Sequence, residues 1–526
     1  MSAITDFDGP SSAAASAAAS TEQTVPITLT TSLTQYAIPS GPYMVPVSWR
    51  RTHLSTLVNK LVSSSFDSES SGGGAVPFDF IIDSSLLRTT LGEYLEAGGL
   101  TNESTLSIEY VRSTLPPTRL AAFEHDDWVS SVDCTYAPTN IYMTSSYDGS
   151  IRLFSPTNPT EAIHTFSTIN KATVQTGKNA SLTSAAWTPN SEAIVTGGMD
   201  GRVQLWSVSQ SEDGAWRSTR KWSGEAHNAP VGAVDTAMGP SGVSVLSGGW
   251  DGVVAVWDDL GSSSVGDAES EESEEESEEE ESTSKRRKTT NGKSAKPSKS
   301  SSSSKAGSLE PTLILYHTPP ATHAITGSKN VFTPASRITS LLFERTFTSP
   351  TAKDSNRAWS AGYNGQLKGW DLSSGGSVHT SLSLPSSTAE SRPILSLTHL
   401  APNAIVAGSV DRAIHMFDTR TSTSAGTLGV SINNAHKGPV DVLASHPLDR
   451  HLFASGSGLE SVVKVWDTRS SKKALFSLSS PADANAKGEK GILALDWSKD
   501  GQELVAGGKD KRITVFRGHG IGVSQS

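Results

Sequence analysis

The chain of 526 residues carries 54 acidic and 43 basic side chains, a formal net charge of −11, and only 35% hydrophobic residues. Its single cysteine, Cys134, excludes a disulfide framework and a cysteine-rich zinc site, and no run of about 18 apolar residues exists to span a membrane. The length suits two to four domains or one domain of repeats, and the composition suits a soluble, intracellular protein of many short strands and turns.

Residues 1–24 hold three acids and no base and read as a disordered tail. Their Ala/Ser tract is too weakly apolar for a signal peptide. Residues 25–113 have the grammar of a folded domain. VPITLTT and MVPVSW read as strands, and HLSTLVNKLVSS as an amphipathic helix with Leu54, Leu57, Val58 and Leu61 on one stripe. After a Gly-rich loop come the strand FDFIID, the short glycine-ended helix LRTTLGEYLEAGG and the strand LSIEYV. That order resembles a ubiquitin-like β-grasp, large enough at about 90 residues to bury its own core. Residues 114–118 form a linker.

From residue 119 a pattern recurs seven times: a small-residue run, a turn acid or Asn, and an aromatic six positions later. The pairs are Asp148 and Phe154, Asp200 and Trp206, Asp251 and Trp257, and Asn364 and Trp370. Asp411 and Phe417, Glu460 and Trp466, and Asp510 and Phe516 complete the set. Short β-branched runs with Asp-Gly or Asn-Gly turns predict hairpins in every unit, because Gly tolerates positive φ. The repeat resembles the WD-repeat family, whose blades are radial four-stranded sheets. The fold class is therefore mainly β: a seven-bladed propeller over 119–516, preceded by an α+β domain over 25–113, with a tail at 517–526. After Phe516 no strand remains for the seventh blade, so Arg119–Phe123 is predicted to supply it and close the ring.

In that family a His, a Ser or Thr, the turn Asp and the Trp share a buried hydrogen-bond network. The third repeat has the whole set: His227, Ser247, Asp251 and Trp257. The first has His125 and Asp148 but ends in Phe154. The sixth has His436 and Trp466 but carries Glu460 in the Asp position. The second (Asp200, Trp206), fourth (Trp370), fifth (Asp411) and seventh (Asp510) show no such His at the expected spacing. Repetition of these residues argues for architecture rather than catalysis, since a catalytic site needs one constellation and a blade needs one per copy. No HExxH, GxxxxGK[ST] or GxSxG occurs, so no enzyme, cofactor, resident metal or small-molecule substrate is expected.

The gap between the third and fourth aromatics is wide enough for an insert, 262–308, predicted to leave from a loop between the two repeats. Asp267 to Glu281 packs eleven acids around serines, and eight bases follow. Such a segment cannot bury a core and is expected to be disordered. Lys285, Arg286, Arg287 and Lys288 form a candidate nuclear import signal. Ser270, Ser273 and Ser277 are candidate sites for an acid-directed kinase, each phosphate adding about −1.5 to −2. Charge is also split around the ring: residues 114–261 carry fifteen acids and eight bases, whereas 309–526 carry seventeen acids and twenty-two bases.

A β-grasp domain joined to a propeller is a narrow combination. VPFDFIID, LLRTTLGEYL, LSIEYVRSTLPP and HDDWVSSVD resemble the WD-repeat subunit of the PeBoW complex, which matures the large (60S) ribosomal subunit beside pescadillo and a Bop/Erb-type scaffold protein. Notchless shares the N-terminal domain but has eight blades, so seven repeats favour the PeBoW family. A generic WD-repeat adaptor in ubiquitin signalling is the other alternative; RSTLPP, not a terminal Gly-Gly, follows the last strand. The resemblance implies a nucleolar and nucleoplasmic, non-catalytic factor needed for pre-rRNA processing. It also implies that the ubiquitin-like domain docks on the metal-ion-dependent adhesion site of the ATPase midasin, with a carboxylate filling the open position of a Mg²⁺. The matching residue is Glu103, in the turn GGLTNESTL. Basic positions Arg469, Lys472, Lys473, Lys509, Lys511 and Arg512 would then face an acidic protein or ribosomal RNA of the pre-60S particle.

Overall fold

The computed structural model describes residues 23–65, 76–113, 116–138, 140–156, 161–169, 181–240, 242–258, 308–317, 337–349, 352–384, 392–420, 428–479 and 490–518. The import cluster at 285–288 and the three serines lie outside them. The chain divides into two units, the first centred on residues up to 114 and the second on the remainder.

The first unit is a five-stranded sheet with two helices. Its strands are β1 (Thr24–Thr30), β2 (Tyr43–Pro46), β3 (Phe78–Ile82), β4 (Ser85–Leu86) and β5 (Leu106–Arg112), in the order β2-β1-β5-β3-β4. The first and last strands pair in parallel, Ile27 opposite Leu106, which requires a crossover, and helix α1 (Arg51–Ser65) supplies it. Leu54 and Val58 of α1 are fully buried against Val25, Ile27, Phe78, Phe80 and Ile108. Leu57 is only partly buried beside them. Helix α2 (Leu91–Gly98) starts where Thr90 Oγ1 accepts the Glu93 N–H (3.1 Å) and ends at Gly99, whose φ of 63° is left-handed.

The second unit is built of seven further sheets among the described residues. Each contains four antiparallel strands; the second sheet gains a short parallel fifth, Ser308–Leu309, on Ser223 and Gly224. The innermost strands follow one another round a ring, from Val129–Asp133 in blade one to Ile492–Trp497 in blade seven, which lies against blade one again. The core is correspondingly divided into seven apolar clusters, each shared by two neighbouring blades. Between blades two and three, Val195, Leu205 and Trp222 meet Val231, Val245 and Trp257. Trp222 and Trp257 stack there at 5.2 Å, and a Cβ on Gly224 would come within 2.4 Å of Trp257. Only glycine allows that approach.

Closure follows the sequence expectation. Thr118–Glu124 pairs antiparallel with Arg512–Arg517, Phe123 opposite Ile513. The insert leaves where the sequence places it, after the third repeat ends at Trp257. Because a repeat and a blade are offset by one strand, the chain then returns to form the outer strand of blade three, Leu313–Tyr316. Among the described residues, no helix is long and apolar enough to cross a membrane.

Candidate partner-docking site

The repeated polar residues are taken up by the blades. In blade three His227 Nε2 lies 2.9 Å from Ser247 Oγ, His227 Nδ1 lies 3.3 Å from Asp251, and the Trp257 indole donates to Ser247 Oγ (3.0 Å). Blade six repeats this with His436, Ser455 and Trp466; the longer Glu460 reaches Nδ1 at 2.8 Å. Glutamate therefore serves in the aspartate position.

Blade four corrects the sequence reading. Its histidine is His317, 2.7 Å from Ser360 Oγ and 3.2 Å from Asn364 Oδ1, with the Trp370 indole donating to the same Ser360 at 2.8 Å. The spacing rule, counted back from the turn residue, missed it because 47 positions separate His317 from Asn364, against 24 in blades three and six. A different rule would have found it: His125 and His317 immediately follow the outer strand of the preceding sheet, and His227 follows two residues after one.

The other blades differ. In blade one His125 meets Thr144 Oγ1 (3.2 Å), and Arg152 bridges His125 to Asp148 (2.9 and 2.7 Å). Phe154 packs on Phe123 at 4.5 Å instead of donating. In blade two Asp200 accepts the Arg202 N–H of its own turn, and the Trp206 indole donates to Gln204 on its own strand, so these two lie outside a shared network. In blade five the turn residue Asp411 contacts His415, four residues on in the strand Ile414–Asp418 (3.2 Å). Burial pushes Asp411 up, but the His415 contact and charge win and hold it at about 2. In blade seven Asp510 accepts the Arg512 N–H (3.2 Å). Burial keeps His125 and His317 neutral, with pKa values lowered to about 4.

At the hub a cavity of ≈ 260 Å³ is lined by Asp133, Asp235, Arg345, Lys353, His399 and Asp496. Its carboxylates fasten one blade to the next. Asp133 accepts the Trp187 N–H (2.8 Å), Asp235 that of Phe343 (2.7 Å), and Asp496 those of Cys134 and Thr135 (2.7 and 3.0 Å). Lys353 donates to Asp235 at 2.5 Å, and Arg345 to the Pro447 carbonyl at 2.6 Å. These charges are committed to neighbours within the ring. Among the described residues, no group of three or more His, Cys, Asp or Glu is placed to hold a metal ion.

Glu103 has the opposite character. It occupies the turn between α2 and β5, which is closed by the Ser104 N–H donating to the Thr101 carbonyl (3.1 Å) and tied down by Asn102 donating to Gln23 (3.0 Å). Glu103 itself is exposed, and its carboxylate has no hydrogen bond or ion pair among the described residues. Other acids of the unit are engaged or placed elsewhere. Asp79 is buried beside Arg51, Asp83 accepts the Tyr94 hydroxyl, and Glu93 and Glu96 lie on α2. A rigid turn thus presents one uncommitted carboxylate.

Comparison with known proteins agrees with both units. Residues 25–95 match the NLE (NUC135) domain, and residues 118–155, 170–207, 218–258 and 484–517 match the WD domain, G-beta repeat. A protein of Aspergillus fumigatus named ribosome biogenesis protein ytm1 is 30% identical over 98% of this chain and 99% of its own length. The chain belongs to the Ytm1 family. Relatives of the same name from Aspergillus oryzae (30% identical over 96% of this chain) and Coprinopsis cinerea (29% over 89%) extend the match. This is the WD-repeat family of the PeBoW complex that the N-terminal motifs resembled.

The basic positions singled out in the last blade are less available than their sequence suggested. Lys509 lies over the Trp128 ring at 5.2 Å, Lys511 donates to the Asp126 carbonyl at 2.7 Å, and Arg512 pairs with Glu124 at 2.9 Å. Lys509 and Lys511 reach residues that lead into blade one, while Arg512 pairs across to the closing strand of its own blade.

Proposed function

We propose that this protein is a non-catalytic assembly factor of the large ribosomal subunit, acting in the nucleolus and nucleoplasm, and that Glu103 is its handle for removal. In this reading the propeller anchors the protein to a Bop/Erb-type scaffold and to pescadillo on the pre-60S particle, in support of pre-rRNA processing. The ubiquitin-like domain offers Glu103 to the Mg²⁺ held by midasin's adhesion site, so that ATP-driven movement of midasin pulls the complex off. The observation that carries it is the exposed, unpartnered carboxylate on a turn held at both ends by hydrogen bonds. A hard dication with an open position takes a carboxylate oxygen well, and a pre-ordered loop loses little entropy on binding. The His and Asp residues that could suggest catalysis are spent within the blades, which supports a scaffold role.

The test is binding of the full-length protein to midasin's adhesion domain with Mg²⁺ and with EDTA. Wild type should bind only with the metal, and Glu103→Ala and Glu103→Gln should lose that binding while their urea midpoints stay unchanged. Metal-dependent binding by Glu103→Ala at wild-type affinity would sink the assignment.

A further inference from the structure

The first half of the propeller is its acidic sector, yet three of the eight bases in residues 114–261 fall within five positions: Arg217, Arg220 and Lys221. They lie on Trp216–Glu225, the outer strand of blade two and one of the two longest strands of the ring. This strand and Arg202–Gln210 form a hairpin paired from Arg202 and Glu225 out to Gln210 and Trp216. All three cations are exposed, and none has an ion pair among the described residues. That separates them from Arg152, Arg202, Arg392, Arg420 and Arg512, each paired with a carboxylate. A register shift opposite Leu205 and Trp206 leaves Lys221 as the extra residue of the strand, which places it beside Arg220.

We propose that this strip binds the phosphate backbone of RNA. Two classes of partner suit unpaired cations, and the surroundings separate them. A protein interface is built on an apolar centre; among the described residues the strand itself carries no exposed large hydrophobic side chain, and the one paired with it, Leu309, lies opposite Gly224, past the three cations. Beside the cations stand Thr219, exposed, and Ser223, half-buried, hydroxyl donors of the kind that contact phosphate oxygens, while Ser218 is engaged by His164 at 3.2 Å. The strand rises about 3.3 Å per residue, so Arg217 and Lys221 stand roughly 13 Å apart. That is a span of several phosphates rather than of one carboxylate. The strip reads no base edges, so the contact is set by charge and not by sequence. It extends the assembly-factor reading by giving the propeller its own hold on RNA, and it does not depend on Glu103.

The test uses full-length protein and a fluorescent 20-nucleotide oligouridine, with affinity measured across a salt series. The comparison is with Arg217→Ser/Arg220→Ser/Lys221→Ser, whose sites are exposed, and equal urea midpoints confirm equal folding. Both proteins keep the Lys/Arg cluster of the insert, so the difference isolates the strip. The variant should bind about tenfold more weakly, and its log–log salt slope should be shallower by about 2, the value for three contacts to single-stranded phosphates. An unchanged slope overturns the proposal. So does tighter binding of wild type to polyglutamate of equal charge, lost in the variant, which would give the strip to an acidic protein. Binding of Glu103→Ala to the RNA as wild type keeps this result distinct from the midasin reading.

Discussion

The Asp496 carboxylate in the last blade accepts the backbone N–H of Cys134 in the first at 2.7 Å, and with it the N–H of Thr135 at 3.0 Å. The ring is therefore closed twice: at the rim by the strand Thr118–Glu124 on Arg512–Arg517, and at the hub by one side chain. Asp133 and Asp235 occupy the equivalent place on their own inner strands and hold the following blade in the same way.

Removing the hub closure should be costly. Asp496→Ala leaves two buried N–H groups without acceptors, each worth about 1–3 kcal/mol, so urea unfolding should show a loss of about 3 kcal/mol. Asp496→Asn keeps an acceptor oxygen and should lose less than half as much. Equal losses for both variants would show that charge, and not the hydrogen bonds, fastens the seam.

The blade networks predict a graded series. Ser360→Ala deprives both His317 and Trp370 of their shared partner in a buried site and should cost about 2 kcal/mol. Gln204→Ala frees only the half-buried Trp206 indole and should cost under about 1 kcal/mol. Glu460→Asp shortens the reach to His436 and should cost about 1 kcal/mol, measured as a shift in the denaturation midpoint.

Acid should act against the buried histidines of the propeller. Burial lowers His125 and His317 to about 4, and burial with Arg345 and Lys353 lowers His399 to about 3. Each is neutral when folded but charges near pH 6.5 when unfolded. Their contribution is therefore full above about pH 6.5 and is lost as pH falls toward 4. Each imidazole adds a slope of about 1.4 kcal/mol per pH unit. Asp133 works in the opposite sense: burial and the charge of Asp496 raise it to about 7, so its contribution is full below about pH 4 and is lost as pH rises through 7. His436 and His446, also lowered by burial, act in the same sense as the three histidines, and Asp441, Asp496 and Asp510, also raised by burial, in the same sense as Asp133. Relative to wild type, His317→Gln should therefore make the slope of stability between pH 4 and 6.5 less positive, and Asp133→Asn should make it more positive. Urea midpoints across the range check both signs.

The turn residue after the acid offers a stabilising change. Gly149, Gly201, Gly252 and Gly365 have φ of 70–82° there, whereas Arg412 takes φ 67° with a side chain attached. Arg412→Gly should relieve that strain and raise stability by up to about 1 kcal/mol. Gly365→Ala should lower it by more, since its Cβ would come within 2.6 Å of the Arg392 carbonyl oxygen. Thermal midpoints of the two variants should move in opposite directions.

Much of the fold was legible because it is locally written. Turn acids and glycines fix each hairpin within a dozen residues, and strand alternation fixes which face is buried. Seven blades, the closing role of Arg119–Phe123 and the β-grasp order follow from such short-range rules. Glu103 could be singled out only through family resemblance, since a lone loop acid carries no local signal.

What tertiary structure decided are the relations between residues far apart in sequence. His317 joins Ser360 across 43 residues, and Asp496 meets Cys134 across 362; no periodic rule fixes such separations, because a loop of any length can close the same contact. The net charge of −11 and its division between halves of the ring were determined by sequence alone. Which of those charges remain free was not. Lys511 and Arg512 are engaged by residues at the start of the ring, while Arg217, Arg220 and Lys221, in the acidic half, have no partner among the described residues. A charge acts on a partner only when the fold leaves it unpaired, and pairing is set by distances in space.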